Sequence, residues 1–243
     1  MQLCGGTVKI DDIITEDLTA INNKERANYK GRKVGVFYPS ESMQCQRKIY
    51  IRVIEPERIK DKMPFGLFVM AKHAEESIIK CMRNKFGDKL KEQFYLQKEI
   101  SPGVVIHGYE DFKLLNEAGD TEGIYEIKSI GSILYLIKAK EAKLTYRAQL
   151  QCYLQTEQCD NGCIVYVERG DICKIKQFDE TLDDDLWWNI RVHFTELRKY
   201  MDDKNLPPPI PVETSECKYC EFKKDCSEER KALGLKASTV WGM

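Results

Sequence analysis

The chain has no apolar run long enough to cross a bilayer. Its long apolar runs, such as Leu67–Ala71 and Ile133–Ile137, fall far short of the roughly twenty residues a spanning helix needs. It also lacks an export signal: MQLCGGTVKIDDIITEDL carries acids where a leader needs a basic end and an apolar stretch. These absences predict a soluble, cytoplasmic protein with no membrane partner. There is no G-x-x-x-x-G-K-[ST] run, so no phosphate-loop motor is encoded, and any processivity would come from partners. No internal repeat is present, which excludes a solenoid. The net charge of -1 shows no overall bias toward a polyanionic partner.

What is present is enough for one substantial core: 243 residues, 42% of them hydrophobic. The ten cysteines, without an export signal, read as reduced thiols whose clustered members bind metal. Charge is uneven along the chain. Residues 20–62 hold 11 basic and 5 acidic residues, and Lys128, Lys138, Lys140, Lys143 and Arg147 form a second basic run. Acids gather at Asp179–Asp185 and around the last cysteines. Each run alone is an ordinary solvated face, but two basic segments flanking one site supply the local field that phosphate binding needs.

Periodicity predicts an α/β layer arrangement with a mixed central sheet. VGVFY reads as a strand and SESMQCQRKIYIRV as a short helix capped by Ser40 or Ser42. After a break at Pro64 and Gly66 comes an amphipathic helix ending near Gly87, with Leu67, Met70, Ala71, Ala74, Ile78, Cys81 and Met82 on its apolar side. Strands follow at Gln93–Ile100, Val104–Leu115 and Gly123–Ile130, then a helix over EAKLTYRAQLQCYLQTE and strands around CIVYVER and ICKIKQF. A long helix from about Thr181 to Met201 carries Leu186, Trp187, Ile190, Phe194 and Leu197 on its apolar side. The run Leu206–Pro211 is a stiff connector. The expected division is an N-terminal region (1–63), a core (64–205) and a cysteine-rich segment (206–243).

The chemistry concentrates on one hairpin. Glu126 and Lys128 are two apart on a strand and share a face. A hairpin symmetric about Ala118 and Gly119 sets Asp111 directly across from Glu126. Opposed carboxylates destabilise a sheet unless something compensates, and a divalent cation held by oxygen ligands does so. E-x-K alone is common on solvent-facing strands; Asp111 in register gives it weight. On the next helix Gln149 and Tyr153 share one face at i,i+4, placed to hold a nucleic-acid backbone or to orient Lys128. His73 stands at the border of its helix's apolar stripe, where a lone histidine is more often structural than a ligand.

Near the end, Cys217, Cys220 and Cys226 form C-x2-C-x5-C, one thiolate short of a closed tetrahedral site. Spacing does not name the fourth ligand, and four thiolates suit zinc and iron–sulfur alike. The other cysteines (Cys4, Cys81, Cys152, Cys159, Cys163, Cys173) read mostly as small core residues.

In order, His73, Gly108–Asp111 (GYED), Glu126–Lys128 (EIK) and Gln149–Tyr153 (QLQCY) resemble the RecB-like branch of the PD-(D/E)xK nucleases, whose restriction-endonuclease-like core runs helix, three strands, helix, strand. The resemblance implies that His73, Asp111 and Glu126 bind Mg2+ or Mn2+ and that Lys128 assists the attacking water, with Gln149 and Tyr153 in the catalytic set. It supplies the fourth cysteine as Cys45, in a context matched by Ser40, Arg47, Lys48 and Tyr50. It also implies a [4Fe-4S] cluster on Cys45, Cys217, Cys220 and Cys226. From Pro39 to Cys226 the pattern is similar to the CRISPR-associated RecB-like exonucleases. That implies 5′-end resection of single-stranded or frayed DNA ends, CRISPR integrase subunits as partners, and a part in antiviral defence. Competing readings are a DNA-end-binding subunit with a degenerate site, a repair or viral recombination subunit of the same fold, and a zinc-stapled protein without catalysis.

Overall fold

The computed structural model describes residues 32–59, 65–210 and 215–234. The expectations for residues 1–31, Cys4 among them, and for Pro64 lie outside the described residues, whereas Gly66 is helical and marks no break. In order, the elements are β1 (Val36–Phe37), α1 (Gln46–Ile54), α2 (Phe65–Phe86), β2 (Leu90–Ser101), β3 (Val104–Leu115), β4 (Thr121–Ile130), α3 (Leu144–Glu157), β5 (Gly162–Glu168), β6 (Asp171–Glu180), α4 (Asp184–Asp202) and α5 (Lys223–Ala232).

Strand β3 organises a mixed sheet ordered β1-β3-β4-β5-β6, with β2 also paired to β3. The β2–β3, β3–β4 and β5–β6 pairs are antiparallel, and β1–β3 and β4–β5 are parallel. A parallel pair needs a crossover, and α3 provides it between β4 and β5. The hairpin turn at 116–120 is held by the Asn116 side chain, which accepts from the N–H groups of Ala118 and Asp120 at 2.9 and 3.0 Å. Gly119 sits there at φ +90°, a conformation that suits glycine.

Helices cover both faces, giving three layers. Ala74 and Ile79 of α2 pack on Phe112, Leu114, Ile127, Val165 and Val167. On the other face, Leu150 and Leu154 of α3 and Ile190, Phe194 and Leu197 of α4 pack on Val104, Ile106, Ile124 and Ile164. The α4 stripe is the predicted one, except that Trp187 is only half-buried. The late acidic run is in part a cap: Asp183 accepts the Leu186 N–H at 2.8 Å, and Asp184 and Asp185 complement the helix dipole.

Several local expectations are corrected. Pro39–Glu41 forms a 3-10 turn, and Cys45, not a serine, is the N-cap residue of α1. Ser42 turns inward and hydrogen-bonds the Cys152 sulfur at 3.1 Å. Cys152, Cys159 and Cys163 are buried as expected, but Cys81 and Cys173 are exposed, as is Met70. The basic excess around α1 does not form a free field either. Arg47 pairs with Glu229, Lys48 with Glu216, Arg52 with Glu221 and Arg58 with Asp225. The charges of α1 thus tie it to the acids of the C-terminal segment.

Candidate active site

The two strands of the predicted hairpin part company at the site. Pairing runs from Leu115 opposite Thr121 as far as Phe112 opposite Tyr125. One step further, the same register sets Asp111 opposite Glu126. There the ladder stops, and Asp111 Oδ2 accepts the Ile127 N–H at 2.6 Å. Strand β3 also turns over at this point. Val104 and Ile106 join the layer under α3 and α4, whereas Phe112 and Leu114 join the layer under α2. Strict alternation would keep all four on one face. Across from Asp111, Gln93 of β2 has φ 46 and drops out of the register between Glu92 opposite Phe112 and Phe94 opposite Glu110.

Two carboxylates and one ammonium interact in this fork, with a third carboxylate within electrostatic reach. Glu126 is almost fully buried, and its Oε1 receives the Lys128 ammonium and, at 2.8 Å, the Gln149 side-chain amide. Its Oε2 is buried with no partner. Burial first, and then the charge of Glu126, hold the Asp111 carboxyl well above the usual range. Burial raises Glu126 as well. For Lys128, burial opposes the charge, but Glu126 and Asp111 overcome it and fix the ammonium. Two buried carboxylates facing one ammonium leave an excess of negative charge that a cation relieves.

The third carboxylate is Glu75 of α2, which sequence reasoning missed. Burial raises its pKa, with the Glu126 charge next, and Gln93 Nε2 donates to it at 3.3 Å. His73, the expected ligand, is not brought there: 73% of its side chain is exposed and Nδ1 lies 3.6 Å from Glu76. The reason is helical geometry. Residues two apart are rotated by about 200°, so a helix that turns Glu75 to the sheet turns His73 away. The signal in the sequence was an acid inside an apolar stripe, between Ala71 and Ile78–Ile79.

Gln149 and Tyr153 are brought in, but to Glu126 rather than Lys128. Gln149 also lies 3.3 Å from the Tyr153 hydroxyl, which donates to the Tyr109 carbonyl at 3.0 Å. Both residues are buried, so they orient the acid from within. Lys128 instead has the Tyr146 ring beside it, 5.1 Å from Nζ to the centroid. Glu110 was also missed. It is fully buried, neither oxygen has a partner, and burial pushes its carboxyl up to about 8.

Far along the chain, Cys45, Cys217, Cys220 and Cys226 line one small cavity, with Lys48, Lys223 and Arg230 among its walls. As the N-cap residue of α1, Cys45 has the backbone N–H groups of Arg47 and Lys48 drawing its thiol down, against the larger effect of burial. Burial raises Cys220 and Cys226 too. As the side chains stand, no three His, Cys, Asp or Glu among the described residues converge closely enough to hold an ion. The cavity therefore shows that the four cysteines are neighbours and does not show a closed ligand cage.

No protein-family model matches the sequence, and no curated protein matches it. Solved structures do match in shape. The crystal structure of SSO0001 superposes with a TM-score of 0.63 at 20% identity, covering 89% of this chain and 97% of that one. The alkaline exonuclease LHK-Exo of Laribacter hongkongensis superposes at 0.54 and 11% identity, covering 73% and 93%. The chain shares the fold of an alkaline exonuclease. LHK-Exo in complex with dAMP gives 0.54 at 13% identity, covering 78% and 93%. At such identities the likeness concerns architecture, and the chemistry has to be argued from the side chains.

Proposed function

We propose that this chain is a divalent-metal-dependent DNA exonuclease that hydrolyses phosphodiester bonds at DNA ends. The observation that carries the reading is the forked pair of strands holding Asp111, Glu126 and Lys128 together. The donor set fits Mg2+ or Mn2+: hard carboxylate oxygens, negative charge in excess, and the Glu126 Oε2 buried without a partner. Asp111 and Glu126 would hold the ion, with Glu75 in the place expected for His73. When bound, such an ion lowers the pKa of a coordinated water and stabilises charge on the phosphate.

The chain's own groups supply the rest. Lys128, kept charged by Glu126 and Asp111, places its ammonium where it can offset negative charge on a phosphate or orient the attacking water. Gln149 fixes the Glu126 carboxylate, and Tyr153 fixes Gln149 against the β3 backbone. The Ile127 N–H locks the orientation of Asp111. Action on single-stranded or frayed ends with 5′ resection, and work beside CRISPR integrase subunits, are supported by the motif order GYED, EIK and QLQCY.

At the second cavity the reading places a [4Fe-4S] cluster on Cys45, Cys217, Cys220 and Cys226, with zinc as the alternative metal. The donor chemistry fits either: four thiols share one cavity, and cations on its walls offset thiolate charge. A brown anaerobic preparation containing iron supports the cluster. A colourless one with zinc and no iron assigns the site to zinc.

The test of function is end-labelled DNA with Mn2+. Wild-type protein shortens the DNA from its ends, and Glu126→Ala and Lys128→Ala do not; undiminished cleavage by both variants sinks the reading.

A further inference from the structure

Between β4 and α3 the chain makes a 3-10 turn, Ile133–Leu136, that shows its apolar side chains to solvent. Tyr135 is 86% exposed, Leu134 69%, Ile137 65%, and Leu144 at the start of α3 48%. Contiguous exposure of this kind marks a contact surface. The turn is firmly seated. The Ile133 N–H donates to Glu168 at 2.9 Å and the Leu134 N–H to the Ser132 hydroxyl at 3.3 Å. Ile133, Leu136 and Ala139 pack inward on the core, so the i,i+3 phase of the turn drives the neighbouring apolar residues outward.

Three cations accompany these side chains. Lys138, Lys140 and Lys143 are exposed, and no salt bridge involves any of them among the described residues. The surface also continues into the site. The Tyr146 ring lies 5.4 Å from the Lys143 ammonium and 5.1 Å from that of Lys128.

We propose that this knuckle is a platform for single-stranded DNA: unpaired bases rest on Tyr135, Leu134 and Ile137, while Lys138, Lys140 and Lys143 hold the phosphates. The proposal rests on the nuclease reading and adds the surface outside the active centre that holds the strand. The charge pattern selects the occupant. Ammoniums without a salt bridge among the described residues, set around exposed apolar and aromatic groups, match a strand with phosphates outside and bare base faces, because every base offers a stacking face. A duplex conceals those faces.

The test is fluorescence anisotropy with a short labelled oligothymidylate and a blunt duplex of equal length, in EDTA so that binding is read without cleavage. Tyr135→Ala is expected to raise Kd for the single strand about tenfold or more, with little change for the duplex. Lys138→Glu, Lys140→Glu and Lys143→Glu together should reduce the slope of log K against log salt by about 2. All four positions are exposed, and equal thermal midpoints confirm intact folding. Single-strand affinity unchanged in both variants overturns the platform. So does wild-type self-association, or binding to anionic phospholipid vesicles, that Tyr135→Ala abolishes while oligonucleotide affinity stays. Lys128→Ala separates this from the nuclease reading: it should bind the oligothymidylate yet fail to cut. If Lys128→Ala cuts like wild type while Tyr135→Ala loses affinity, the active-centre assignment fails and the platform stands.

Discussion

The Ile127 N–H donates to the Asp111 carboxylate at 2.6 Å, so a side chain takes the place of a strand partner where β3 and β4 part. The bond orients Asp111 towards Glu126 and satisfies a backbone donor that the fork would otherwise leave bare. It also brings two carboxylates together in a buried setting, which is unfavourable until a cation arrives.

Asp111→Asn separates those two roles. The amide oxygen still accepts from Ile127, while the repulsion with Glu126 disappears. Because burial and Glu126 raise the Asp111 pKa on folding, its ionised form costs stability at neutral pH. In EDTA the variant's thermal midpoint is expected to exceed wild type by about 2 °C or more, with cleavage lost. A clearly lower midpoint contradicts this account.

Glu75 and His73 divide by face. Glu75→Ala should lower kcat/KM about tenfold or more, since it removes a carboxylate beside Asp111 and Glu126. His73→Ala should stay within about twofold of wild type, as an exposed side chain outside the fork. The reverse order in a Mn2+-supported assay would restore the histidine to the site.

Gln149 acts through Glu126. Gln149→Ala is expected to raise the Mn2+ concentration for half-maximal activity about 10- to 100-fold, the usual cost of losing a group that orients a metal ligand. Tyr153→Phe leaves the Tyr109 carbonyl without its donor, at a stability cost of about 1–3 kcal/mol. Titration of Mn2+ and urea unfolding check the two effects. Were Gln149→Ala to change kcat alone at saturating Mn2+, the group would act on the reaction itself.

Glu110 predicts a pH dependence. Its carboxyl moves from an ordinary value of 4.5 to about 8 on folding. A raised acid pKa means that folding favours the protonated form, so stability is full below pH 4.5 and falls as pH rises towards 8. At pH 7 the penalty is on the order of 3 kcal/mol. Glu110→Gln removes it, so the variant should gain over wild type progressively between those pH values in urea unfolding. A pH-independent difference contradicts the assignment.

Much of this was legible in local sequence. Hairpin register follows from where the turn residues lie, and the observed pairing of Phe112 with Tyr125 is the one that symmetry about Ala118 and Gly119 requires. The stripe of α4 follows from its repeat. What local pattern does not fix is helix rotation against a neighbour. Ala74, Ile78 and Met82 fit the stripe, but small shifts of phase expose Met70 and Cys81 and decide between His73 and Glu75.

The sequence by itself determined the residue types of the site, their strand spacing and the cysteine triplet, because these depend on a period of two or on neighbours along the chain. Tertiary structure alone decided the rest. It set the fork where β3 turns over at Asp111, Glu75 as the third acid, Gln149 on Glu126, and the α1 cations tied to the C-terminal acids. It also brought Cys45 to the same cavity as Cys217, Cys220 and Cys226. Each of these is a contact between elements far apart in sequence, fixed by how layers pack and where buried charge finds a partner.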